Sequence, residues 1–193
     1  MNYLAHLFLS CDNEDHLLGN FIADSIKRPE GLIFSKEIME GIHLHKLIDQ
    51  YTDIHPVVKQ STRRLHHRHR KYASVVVDIW YDHLLARQWN KYSNRSLREF
   101  ADEMYAILRK RTKDMPNKLK LNLPLMADDD WLMKYSTMDG MMVIFDKLKK
   151  RVSKPDLLLG AKEAFLAVEK ELEEDFGIFF PMLQDYVCKQ HWH

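Results

Sequence analysis

Apolar residues recur at intervals of three and four along nearly the whole chain, the spacing of one face of an α-helix. With only 6 Gly and 6 Pro in 193 residues, there is little material for the many tight turns of a sandwich or barrel. Hydrophobic residues at 46% against 30% charged exclude wholesale disorder. The expected fold is all-α: one domain over 1–193, a helical bundle of about eight to ten helices.

Capping signals divide the chain. A short first helix covers Tyr3 to Leu9, and Asp12 or Asn13 caps a second that runs to Lys27 before Pro29. Ser35 caps a third reaching Asp53, Pro56 begins a fourth, and Ser74 caps a fifth running to Lys91. Ser96-Leu-Arg-Glu99 is a capping box that opens a sixth helix to Arg111. Asp114 to Pro124 reads as a loop. Helices follow at Asp129–Tyr135, Thr137–Val152 and Pro155–Asp175, the last stopped by Gly177, with a terminal turn or two over Pro181–Lys189.

Lys and Arg total 29 against 28 Asp and Glu, a balance that argues against a nucleic-acid binder but leaves room for local patches. Cys11 and Cys188 stand at opposite ends without a CxxC spacing, which suits a reduced protein with two incidental thiols better than a single bridge. The apolar N-terminus lacks a basic leader and carries His6 within its run, unlike a signal peptide. No stretch reaches the ~18 uninterrupted apolar residues of a membrane span. A soluble, cytoplasmic protein with no membrane partner is expected.

Chemistry enters where polar residues occupy core positions. On the third helix Ile38, Ile42, His45 and Asp49 form one stripe, with Asp53 a turn further and His43 on a different part of the surface. On the fifth, Val76, Ile79, His83 and Ala86 make one stripe, and Val75, Asp78, Asp82 and Leu85 its neighbour. On the second, Leu17, Asn20 and Asp24 align, and His6 sits within the first. A buried carboxylate is costly unless paired or ligated. His45 and Asp49 alone could be an ordinary helical pair, but acid and imidazole intrude on the apolar faces of several helices. Asp24, His45, Asp49, Asp82 and His83 together offer the nitrogen and oxygen donors that suit Mn, Mg, Fe or Zn. Such an ion polarises a phosphoryl oxygen and acidifies water.

Arg63-Arg-Leu-His-His-Arg-His-Arg-Lys71 lies within a stretch, Ile54 to Val77, that contains no Asp or Glu. It reads either as a solvated helix end or as a docking patch for an acidic partner, with Arg63, Arg64, Arg68, Arg70 and Lys71 as its cations. His66, His67 and His69 group with this patch. Trp80, Trp89, Phe100 and Trp131 read as core, Glu169-Lys-Glu-Leu-Glu-Glu-Asp175 as a solvated face, and Asp128-Asp-Asp130 as a helix cap.

Met1-Asn-Tyr-Leu-Ala-His6, Gly19-Asn-Phe-Ile-Ala-Asp24, Gly41 to Asp53 and Asp78-Ile-Trp-Tyr-Asp-His-Leu-Leu-Ala-Arg-Gln-Trp89 resemble, in order and spacing, the bacterial acyl carrier protein phosphodiesterase family. The likeness is strong over the first half and weaker around Trp131–Asp139 and Phe180-Pro181. It implies a divergent HD-domain-like helical phosphohydrolase that uses a divalent metal, typically Mn2+, with Mg2+ or Fe2+ as alternatives. The implied reaction cleaves phosphopantetheine from the serine of holo acyl carrier protein, with Asp24, His45, Asp49, Asp82 and His83 at the motif positions. His43 or His6 is the candidate proton donor to the leaving serine. The chain has Asp82-His83 where HD enzymes carry His-Asp, so which of the two faces the metal is open. The alternatives are an HD-type enzyme for a nucleotide or other small phosphodiester, and a non-catalytic helical metal-binding protein.

Overall fold

In the computed structural model, which describes residues 1–10, 13–26 and 33–190, the long repeating apolar stripes wind into α-helices, and no strand occurs among the described residues. The helices are α1 (Tyr3–Phe8), α2 (Glu14–Ile22), α3 (Lys36–Ile54), α4 (Pro56–His69), α5 (Ala73–Arg87), α6 (Leu97–Lys110), α7 (Asn117–Asp128), α8 (Trp131–Lys134), α9 (Met138–Lys149), α10 (Ala161–Leu166) and α11 (Glu169–Lys189). One hydrophobic cluster draws side chains from all of them.

Helix α5 runs through the middle. Its buried residues, among them Val76, Ile79, Trp80, Tyr81 and Leu84, lie on every side, so it is wrapped by α1, α4 and α11 rather than resting on a face. Trp80, Trp89, Phe100 and Trp131 are buried as expected.

Most starts obey local chemistry. Asn13 Oδ1 accepts from Asp15 and His16, Ser35 Oγ from Ile38, and Thr137 Oγ1 from Gly140. Pro56 occupies the first turn of α4, and the Ser96–Glu99 capping box is present. Helix α2 ends at Ile22 and gives way to a 3₁₀ turn over Ala23–Ser25, short of the expected end at Lys27; the expectations about Asp12, Pro29 and a Cys11 bridge fall outside the described residues, and Cys188 is exposed.

Several boundaries differ from the sequence reading. Helix α5 begins at Ala73 with no side-chain cap from Ser74, and stops at Arg87, followed by a 3₁₀ turn over Trp89–Lys91. The expected loop before Pro124 is largely α7, with that proline inside it. An interior proline costs ~3 kcal/mol, and burial of Leu119 and Leu123 opposes that cost. The expected helix from Pro155 is broken at Gly160, which has φ 70° and lies under the Arg68 guanidinium, where a Cβ would collide. Gly177 does not stop α11. The helix continues through Pro181 because Phe176, Phe179, Phe180 and Leu183 are all buried on one side.

Helices α2 and α3 pack backbone against backbone. A Cβ on Gly19 would come within 2.1 Å of the Ile38 carbonyl oxygen, and one on Gly41 within 2.2 Å of the His16 carbonyl oxygen. Only glycine permits so small a separation. Gly41→Ala should lower stability by about 1–3 kcal/mol, read as a shift in the urea midpoint; an unchanged midpoint would show that the helices can part freely.

Candidate active site

Three elements converge on one cluster of side chains. Helix α1 supplies His6, α2 and the 3₁₀ turn after it supply Asn20 and Asp24, and α3 supplies His45 and Asp49 one turn apart. Donor atoms of His6, His45 and Asp49 all lie within 4.8 Å of one another. His6 Nε2 is 3.1 Å from Asp49 Oδ1, and His45 Nε2 is 3.3 Å from both Asp49 Oδ2 and Asp24 Oδ1. The two imidazoles stack with centroids 4.0 Å apart.

Asn20, fully buried, organises them. Its Oδ1 accepts from Nδ1 of His6 at 2.8 Å and of His45 at 3.0 Å, and its backbone carbonyl accepts from His45 Nδ1 at 2.9 Å. Its orientation is fixed because Nδ2 donates to the His6 carbonyl and to Ser10 Oγ. Both rings are thereby held with Nδ1 protonated and Nε2 turned toward the carboxylates.

That arrangement tests whether a cation fits. Burial pushes His6 down to about 4 despite the pull of Asp49, so the ring is neutral and owns one N–H. Asn20 accepts that hydrogen. Nε2 then offers a lone pair to an Asp49 oxygen, two acceptors face to face, and a cation between them relieves the conflict. Burial would lower His45 too, but hydrogen bonds to Asp24 and Asp49 outweigh it and raise the ring to about 9, a proton standing where a metal could. Burial would raise Asp49, yet the hydrogen bond from protonated His45, with the Met1 ammonium nearby, holds it far below the usual carboxylate range, so it stays anionic. The His45 hydrogen bond lowers Asp24 likewise. Nitrogen and oxygen donors without thiolate suit a hard or borderline divalent ion.

The cluster opens into a cavity of about 450 Å³. Asp53 and Asp78 extend its acidic wall, with the Met1 ammonium 3.0 Å from Asp78 Oδ1. Lys147 of α9 and Arg151 just after it line the same cavity, together with Tyr3 and Trp131.

The structure gathers Asp24, His45 and Asp49 from the expected ligands, joined by His6, which the sequence suggested as a proton donor. It does not bring Asp82, His83 or His43 to the cavity. Asp82 is fully buried, with Oδ1 accepting from Asn2 N at 3.1 Å and Oδ2 from Leu4 N at 2.8 Å; burial raises it to about 7 against those amides. It closes the N-terminus of α1. His83 Nδ1 donates to the Tyr135 carbonyl at 2.6 Å, and Trp80 and Phe165 meet its ring edge-on. His43 is exposed on α3 and does not line the cavity. Asn20 aligns with Asp24 in the sequence without announcing a role, and Lys147 and Arg151 carry no signal there beyond ordinary surface charge.

The basic segment is more structural than its composition suggests. Arg63 is exposed and lines a hollow with Lys59, Asp53 and Asp78 that adjoins the cavity. Arg64 lies 3.7 Å from Asp175, Arg68 Nε donates to the Leu159 carbonyl, and Lys71 Nζ donates to Ser153 Oγ. Arg70 is exposed with φ 46° at the end of α4. His69 departs from the expected patch: it is buried, with Nδ1 2.7 Å from the Leu157 carbonyl. Asp175, expected on a solvated face, is buried and accepts from Ser61 Oγ at 2.7 Å. Asp130 begins α8 in a left-handed conformation without capping it, and binds Arg98 instead.

The family described as acyl carrier protein phosphodiesterase matches residues 1–183. The acyl carrier protein phosphodiesterase of Salmonella agona (strain SL483) is 29% identical over 191 residues, covering 98% of this chain and 99% of that protein. Its counterpart from Salmonella newport (strain SL254) is 28% identical over the same span. No solved structure matches.

A Mn2+ titration checks the cluster. Asn20→Ala should weaken binding about 10–100-fold, the usual loss when a ligand's orienting partner is removed. Because the His45 proton must leave, wild-type affinity should fall about tenfold for each pH unit below about 9. Full affinity in Asn20→Ala, or a flat pH profile, would overturn this reading of the site.

Proposed function

The chain belongs to the acyl carrier protein phosphodiesterase family, and on that premise we propose that it hydrolyses the phosphodiester joining phosphopantetheine to the serine of holo acyl carrier protein, releasing the apo form. The observation that carries the proposal is the His6–His45–Asp49 cluster at the floor of an open cavity. A divalent ion, Mn2+ in our reading, would be held there by His6, His45 and Asp49 with Asp24 beside them. When bound, it supplies Lewis acidity to the phosphoryl group and to a water nucleophile.

The chain's own contributions are positional and electrostatic. Asn20 fixes both imidazoles, and Asp49 remains anionic across the working range. His6 serves as a ligand rather than as the proton donor, since its Nε2 points into the cluster and its Nδ1 is engaged by Asn20. Asp82 and His83 support the fold around the site. One domain, a divergent member of the HD phosphohydrolases, carries all of this; the His/Asp pairs on facing helices favour that kinship. No helix among the described residues is long and apolar enough to cross a membrane.

Acyl carrier protein is acidic, and Arg63 is the cation of the basic segment best placed to meet it, exposed beside the cavity with no ion pair among the described residues. Arg64, Arg68, Arg70 and Lys71 add to the same positive face, most of them tethered to the bundle. Screening within a Debye length of about 8 Å at physiological salt makes such docking salt-sensitive.

Intact mass of holo carrier protein after incubation is the deciding experiment. His45→Ala and Asp49→Ala should each abolish conversion to the apo form while helical circular dichroism is retained. Turnover near wild type in either variant sinks the ligand assignment. Separately, Arg63→Glu should raise KM for holo carrier protein several-fold and blunt its salt dependence; an unmoved KM would place docking elsewhere.

A further inference from the structure

Three hollows adjoin in a row. The first lies against α4 and holds Arg63 and Lys59; it shares Asp53, Ser74 and Asp78 with the cluster cavity. The cluster cavity shares Tyr3, Trp131, Lys147 and Arg151 with a third, of about 200 Å³, bounded by α7 and the turn after α2. Resting on the carrier-protein reading, the substrate also has three parts in a row: a folded acidic protein, a phosphodiester, and a long neutral arm with amides, a hydroxyl and apolar methyl groups.

We propose that the third hollow receives the pantetheine arm and that Arg151, at its junction with the cluster cavity, holds the phosphodiester between the two. The lining matches an arm of that chemistry. Ser25 and Asn122 offer a hydroxyl and a carboxamide to its amides, while Leu119, Leu125 and Met126 form an apolar wall. Leu125 is 66% exposed, a leucine left uncovered on the side that faces the hollow.

Arg151 stands apart from its neighbours. Lys147, which shares the junction, is occupied by Asp129 at 2.6 Å and by the Trp131 ring. Arg151 is exposed in the turn after α9 and forms no ion pair among the described residues, although Asp24, Asp49, Asp53 and Asp78 line the same cavity. A guanidinium without a carboxylate partner beside a cation-binding cluster suits two oxygens of a phosphodiester. The third hollow also carries Lys118, Lys147 and Arg151, but the hollow against α4 offers only Val58 as an apolar side chain, so an arm laid there would rest on charged groups and leave Leu119, Leu125 and Met126 uncovered. The apolar lining favours the order proposed.

The test compares two substrates, holo carrier protein and bis(p-nitrophenyl) phosphate, and adds free phosphopantetheine as an inhibitor. Asn122→Trp, which fills the third hollow, should lower kcat/KM for holo carrier protein about tenfold more than for the small diester, and raise the inhibition constant of phosphopantetheine to match. Arg151→Ala should lower kcat/KM for both substrates by about 100-fold, with partial recovery in Arg151→Lys and with Mn2+ binding intact. Equal losses on both substrates in Asn122→Trp, or unaltered inhibition by phosphopantetheine, would overturn the arm assignment. Loss of Mn2+ binding in Arg151→Ala would overturn its role on the phosphate. If the wild type cleaves the small diester but leaves holo carrier protein intact, the parent reading itself fails, and the arm assignment with it.

Discussion

Everything at the site depends on how closely α2 and α3 approach. Gly19 and Gly41 each face the other helix's backbone at a distance no side chain would tolerate. That contact carries Asn20 deep enough between the helices for its side-chain oxygen and its main-chain carbonyl to reach the same His45 nitrogen. A wider spacing would leave the imidazole to rotate, and the alignment of His45 with Asp49 and Asp24 would be lost with it. The sequence signature around these glycines is thus a packing requirement before it is a chemical one.

The cluster is arranged against its own comfort. Two buried imidazoles are stacked in contact, their nitrogens aimed at carboxylates, with only one side-chain oxygen behind them. Without a cation, a proton on His45 carries the compensation, held there by Asp24 and Asp49. Functional sites are where such local conflicts persist, because the surrounding fold over-determines them. Here the over-determination is visible in Ser10 and Asn20, which close a ring of buried hydrogen bonds around the His6 carbonyl.

Much of this was legible in the sequence. Helical spacing pointed to the fold class, and the capping residues Asn13, Ser35 and Ser96 work as local chemistry says they should, while Thr137, read as the first residue of a helix, is its cap. The stripe of Ile38, Ile42, His45 and Asp49 identified one wall of the cluster because a helix repeats faithfully over that distance. The failures share a cause. Gly177 and Pro181 carry local signals to stop a helix, and four buried aromatic and aliphatic side chains on one face override them. Whether a buried histidine faces a cavity or a carbonyl depends on an element far away in the chain, as His69 does on Leu157 and His83 on Tyr135. Arg151 and Lys147 look like any charged helix end until the fold sets them in the same cavity as the acids.

The reversed dipeptide shows why spacing alone misled. Neighbours on a helix point about 100° apart, so Asp82 and His83 serve two different interfaces of α5. His83 faces α8 and the Tyr135 carbonyl that comes after it. Asp82 faces α1, a helix of 6 residues, too short to hold itself together in water. Asn2 caps α1 from within, and Asp82, 78 residues from Leu4, accepts from backbone amides at the positive end of the helix dipole. His6 belongs to that same short helix, and its place in the cluster depends on where α1 is anchored. A carboxylate that does not itself line the cavity therefore helps decide where one of its imidazoles stands, which accounts for an acid buried in so apolar a helix.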